Sequence, residues 1–202
     1  MTENAYRFAA YAVARDSDAP AAVTAYAGAV AAAMHRAQLE GTTVTCQLIA
    51  AMSTCPLPHA AAVEVGPFTM LTLSDWLTEV WGDVAALAAV TEVPEPTVDE
   101  QMFHRATLEL FAEADPNSGT ATLAFAGALA VANARWLAAG SDPAASGFVS
   151  SVLDADPVAA AAREELVEAT RASIAMAVGN KWTEIMERVQ VMEAVAAIET
   201  AA

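Results

Sequence analysis

The sequence predicts an all-α fold, a single-domain bundle of seven to eight helices over residues 1–202, with a small β-hairpin within about residues 43–73 as the one alternative. Three observations carry that expectation. Alanine supplies 52 of the 202 residues, and no residue type favours helix more. Gly and Pro number only nine each, and most of them fall between apolar-periodic stretches, where they act as punctuation. Apolar residues reach 56% against 17% charged, and a chain of this length buries roughly two-thirds of its unfolded surface, enough for a core of its own.

Residues 3–15 place Tyr6, Ala9, Ala10 and Val13 at i, i+3, i+4 and i+7, the spacing of one buried helical stripe. Pro20 opens a second helix to residue 40, with Val23, Tyr26, Val30 and Met34 on one face and Gly41 just past its end, the position where a left-handed residue closes a helix. Between residues 42 and 73 two patterns compete. Val44, Cys46 and Leu48 alternate with Thr45 and Gln47 as in a strand, and Phe68 to Leu73 suits a second one, yet residues 48–52 fit a helix equally well. Pro56, Pro58 and Gly66-Pro67 mark turns.

From Ser74, read as an N-cap, Trp76, Leu77, Val80, Trp81, Val84 and Leu87 form one face and Asp75, Glu79 and Asp83 the other. This is the most clearly amphipathic stretch of the chain. Thr97-Val98-Asp99-Glu100 matches a capping box, in which the first and fourth side chains satisfy each other's backbone N–H groups, and predicts a helix to about residue 114. Asp115 to Gly119 is a turn, and an alanine-rich helix follows from 120 to 139. Asp142-Pro143 and Asp156-Pro157 each place a capping acid before a proline in the first helical turn, where the missing N–H costs nothing. The tail breaks at Gly179-Asn180 and resumes with Trp182, Ile185, Val189 and Met192 in a last helix to about residue 199. Trp76, Trp81, Phe103, Phe111, Phe125, Trp136 and Trp182 are the large core anchors expected. Trp136, Gly140, Ala145 and Pro157 resemble a single tetratricopeptide-style hairpin, which without a second copy implies a helix pair and no solenoid.

Absent chemistry narrows the function. Nine basic against 25 acidic residues give a net charge of −16, which opposes direct nucleic-acid binding, since that affinity comes from Lys and Arg displacing counterions. With Lys181 the only lysine, P-loop and Schiff-base chemistry drop out, and no G-x-G-x-x-G, G-x-S-x-G, H-E-x-x-H or C-x-x-C occurs. No catalytic residues are assigned. Glu3, Arg7 and Arg15 interrupt the stretch where an export signal would need an apolar run, and Cys46 and Cys55 are too few for a disulfide framework. A cytoplasmic location follows as the expectation. The apolar run from Thr120 to Ala134 falls short of the roughly 20 residues a membrane span needs, so no membrane association is expected.

No metal and no cofactor are expected either. His35, Cys46, Cys55 and His59 are zinc-type ligands at the wrong spacing, and Glu100 and His104 miss the Glu-x-x-His interval of carboxylate-bridged sites by one residue, which suits an ordinary i, i+4 contact instead. What stands out is charge: between Glu64 and Asp115 there are eleven acids and one base, Arg105. The sequence therefore predicts a non-catalytic acidic helical interaction protein, an adaptor or regulator. It would present Asp75, Glu79, Asp83, Asp99 and Glu100 to a basic protein partner, with a homodimer as a further expectation. Two alternatives share parts of this picture. One is a bundle holding a small apolar ligand among Met102, Met176, Met186 and Met192, with Arg135 or His104 as its polar anchor. The other is a DNA mimic that inhibits a nucleic-acid enzyme.

Overall fold

The computed structural model describes residues 2–16, 19–90, 97–140 and 147–201. Among these the chain forms helices and no strand: α1 (Glu3–Arg15), α2 (Ala21–Glu40), α3 (Val44–Thr54), α4 (Pro56–Glu79), α5 (Trp81–Val90), α6 (Val98–Ala114), α7 (Thr120–Ala138), α8 (Gly147–Ala155), α9 (Pro157–Glu165), α10 (Glu168–Asn180) and α11 (Trp182–Ala201). The all-α expectation holds, while the β-hairpin does not. Residues 44–54 and 56–79 are helical because an isolated two-stranded ribbon is marginal in water, whereas a helix pairs its backbone groups within itself. The helix count exceeds seven or eight because the chain bends where the sequence suggested continuity.

Pro56 starts α4 at a position that needs no N–H, and α3 meets α4 at 113°. Gly66 takes φ 74° and ψ 163°, outside the helical region, so the Gly66-Pro67 pair makes the turn expected of it and divides α4 into two helical pieces across a kink. Ser74 is no N-cap: its hydroxyl donates to the Met70 carbonyl at 2.9 Å, which lets a serine sit inside a helix. The amphipathic stretch instead breaks at Val80, between α4 and α5.

Other boundaries stand where the sequence put them. The Thr97 hydroxyl accepts from the Glu100 N–H at 3.2 Å and the Glu100 carboxylate from the Thr97 N–H at 3.0 Å. Asp156 accepts from Val158 and Ala159 N–H at 2.9 and 3.2 Å, with Pro157 next to it. Gly41 closes α2 in the left-handed conformation. The start predicted at Asp142-Pro143 lies outside the described residues.

The core is built on small side chains. In α2, 14 of 20 residues are buried, and ten of the 19 in α7. Two glycines let aromatic rings press onto these helices: a Cβ on Gly28 would lie 2.0 Å from the Tyr11 ring, and one on Gly127 would lie 2.6 Å from the His104 ring. Of the predicted anchors, Phe111 and Phe125 are buried, while Trp76, Trp81, Phe103, Trp136 and Trp182 are half-buried. Full burial falls instead to Leu77, Leu108, Leu123, Ile185, Val30, Val84 and Val158. α7 is long and apolar enough to cross a membrane by length and composition, and its Leu123, Phe125 and Val131 belong to the shared core.

Of the helix starts without a capping hydrogen bond from their own N-cap side chain, those after Pro20 and Gly119 are capped from a distance. Carboxylates from elsewhere fill the role: Glu165 of α9 accepts from the Ala21 N–H, and Glu64 of α4 from the Thr120 N–H. Each places a negative charge at the positive end of a helix dipole.

Candidate functional site

The geometry sorts the acidic residues into those that hold the fold together and those that do not. Glu64 caps α7. Glu109 and Glu113 receive Arg188 of α11, the latter through two bonds of 2.7 and 2.9 Å. Asp115 shapes its turn by accepting from the Asn117 N–H. Glu100 binds Arg135 of α7 at 2.6 Å, and this hydrogen bond, more than the Thr97 cap, holds its carboxyl below the usual carboxylate range. Glu92 and Glu95 lie outside the described residues.

Asp75, Glu79, Asp83 and Asp99 remain. All four are exposed, and none has a side-chain ion pair among the described residues. Asp83 and Asp99 each stand in the first turn of a helix, where the dipole favours an acid. Of the five residues the charge map proposed, Glu100 is therefore committed to structure, and Asp75 and Glu79 are the acids without a structural duty.

Asp75 and Glu79 continue a face of α4 that is apolar one and two turns earlier. Phe68 is 82% exposed and Leu71 69% exposed, and with Asp75 and Glu79 they follow at i, i+3, i+7 and i+11, so all four project to one side. The opposite side of this helix buries Leu73 and Leu77. Val63 and Val90, also exposed, extend the apolar character toward both ends of the α4–α5 segment. An exposed Phe followed by unpaired acids on one helical stripe has the makeup of an anchor with a charged rim.

The alternative chemistries find little geometry. His59 and Cys46 are exposed, Cys55 is half-buried, and His35 is buried in a ring stack with Tyr6 at 4.1 Å, itself stacked on Trp81 at 5.2 Å. Burial pushes the Cys55 thiol up, away from the thiolate a nucleophile or metal ligand requires. No three His, Cys, Asp or Glu side chains converge among the described residues.

The i, i+4 contact expected for Glu100 and His104 does not form. Glu100 turns to Arg135, and His104 packs on Gly127, where loss of water pulls its imidazole below the ordinary value, aided by Arg7 and opposed by Asp156. Arg105 and Glu109, also four residues apart on α6, do form an i, i+4 pair, at 2.8 Å. The four methionines do not line one interior cavity. Met176 is exposed, while Met102 and Met192 meet in a surface groove of about 470 Å³ between α6 and α11.

The exposure of Phe68 and Leu71 was not legible because the sequence leaves residues 68–73 open between strand and helix. Helical spacing from Phe68 through Glu79 was the signal available. Compared with known proteins, the chain matches no family model, no curated protein and no solved structure, so function is argued from these residues alone.

Proposed function

We propose that the protein is a non-catalytic interaction protein that docks a basic protein partner on the outer face of α4 and the start of α5. The observation that carries this reading is the stripe itself. Phe68 and Leu71 stand in solvent directly ahead of Asp75 and Glu79, while most other acids of the region are engaged in caps and ion pairs. Phe68 and Leu71 supply the area that gains free energy on leaving water, and Asp75, Glu79 and Asp83 steer and orient a cationic partner over about 8–10 Å.

The test compares partner capture from extract by three forms of the full chain. The reversal Asp75→Lys, Glu79→Lys, Asp83→Lys and the apolar change Phe68→Ser should each abolish capture, while a control reversal at exposed Glu164 and Glu187 leaves it intact. Capture should also weaken as salt rises. A species retained equally by all forms contradicts the proposal. Displacement of the bound species by duplex DNA at low salt would make the surface a DNA mimic.

A further inference from the structure

A second row of large apolar side chains meets solvent on α11. Val191, Val195 and Ile198 are 63%, 49% and 70% exposed at i, i+4 and i+7, while the other side of the helix buries Ile185 and Val189 and rests Met192 against the core. Val191 and Val195 also form one wall of the 470 Å³ groove, whose other wall is Gln101, Met102 and Arg105 of α6. A row of knobs and a groove able to receive such a row thus lie side by side on one face. That is the requirement for isologous pairing, in which one patch meets its own copy.

Charge selects the occupant. Two copies of a chain carrying −16 repel wherever acids face each other, yet residues 189–198 contain a single acid, Glu193. The groove holds a base, Arg105. Its Nε donates to Glu109 at 2.8 Å, and its two Nη groups make no hydrogen bond among the described residues. An incoming α11 would bring its apolar row to the groove, while its Glu193, on the far side of the helix from Val191 and Val195, faces away and adds no like charge to the contact.

We propose that the α6–α11 groove is filled by α11 of a second copy, the two helices lying antiparallel about a two-fold axis near Val195. This site is separate from the α4–α5 face and does not rest on it. Ten helical residues span about 15 Å, so the contact falls at the small end of specific interfaces and the dimer is reversible and concentration-dependent. Because the two copies share a net charge, added salt screens their repulsion and tightens the dimer. A basic partner on α4–α5 responds to salt with the opposite sign.

The experiment is sedimentation equilibrium of the full chain over a range of concentrations, at low (about 50 mM) and high (about 500 mM) salt. The expected result is a monomer–dimer equilibrium whose dimer share rises with salt and which Val195→Glu abolishes. A second variant, Cys46→Ser with Val195→Cys, leaves the helix apolar and should trap a disulfide-linked dimer with oxidised glutathione, whether or not Val195→Glu folds. A monomer at every concentration, with no cross-link, overturns the proposal. So does a dimer that Val195→Glu leaves intact in a folded protein. So does a monomer whose native mass spectrum carries a small molecule that Val195→Glu removes, since the groove would then belong to a ligand.

Discussion

Helix α2 and the kinked segment α4 are both long and both rich in apolar residues, yet they have opposite fates. α2 buries 14 of its 20 residues, ten of them Ala or Gly, whereas α4 buries four of 24 and leaves Phe68, Leu71 and Val63 in water. Small side chains let α2 approach its neighbours closely, down to the Tyr11 ring on Gly28. Dense packing there comes from backbone proximity rather than side-chain bulk. The large apolar groups of α4 are surplus to that core. Exposed apolar side chains grouped on one helical side favour a contact surface over an idle one, and this contrast underlies the proposed docking role.

The widest gap expected lies within α4 itself. Leu77→Ala, on the fully buried side, should lower unfolding free energy by about 2–5 kcal/mol in urea titrations. Phe68→Ala, nine residues earlier on the outer side, should change it by no more than about 0.5 kcal/mol. Equal losses at the two positions would erase the distinction between the faces.

Next in size is the close packing of α2. Gly28→Ala forces the Tyr11 ring to move and should cost about 1–3 kcal/mol, while Gly82→Ala, which opens onto empty space, should stay within about 0.5 kcal/mol of wild type.

Acid should probe the interior before it probes the acidic face. The folded state depresses the His104 pKa, so below the ordinary imidazole value of 6.5 the unfolded chain binds more protons than the folded one. The His104 contribution is therefore fully present above pH 6.5 and is lost as pH falls below it. Glu100, also depressed, adds a second loss as pH falls below its ordinary value of 4.5. Unfolding free energy measured against pH should show the first slope, and His104→Gln should flatten it without touching the second.

The smallest effect belongs to the surface: Arg188→Ala, which breaks the α11–α6 ion pairs, should cost about 0.2–1 kcal/mol and less in high salt.

Local grammar was legible in the sequence and long-range pairing was not. The Thr97–Glu100 box, the Asp156-Pro157 start and the Gly41 stop each involve residues a few positions apart, and each stands as read. The stretch 43–73 misled because alternation over five residues does not distinguish a strand from a helix, and Ser74 because a serine hydroxyl can bond backward inside a helix as readily as it caps one. Glu64, Glu165 and Glu100 look like any other acids in the sequence; their partners lie 56, 144 and 35 residues away. The candidate site was half visible for the same reason. Asp75, Glu79 and Asp83 follow from helical spacing, but only the fold reveals which neighbouring acids are already engaged and that Phe68 and Leu71 share their side.

The most direct test of the docking face is photo-crosslinking from within it. A photoreactive phenylalanine analogue placed at Leu71, in cells that make the protein, should yield one dominant protein adduct, identified by mass spectrometry. Its cross-linked peptide should carry Lys or Arg, and the adduct should vanish when Asp75, Glu79 and Asp83 are reversed to lysine. The same probe at Val167, equally exposed but at the N-cap of α10 rather than on α4, should give no such adduct. Indistinguishable products from the two positions would contradict the account, leaving the outer side of α4 an idle surface.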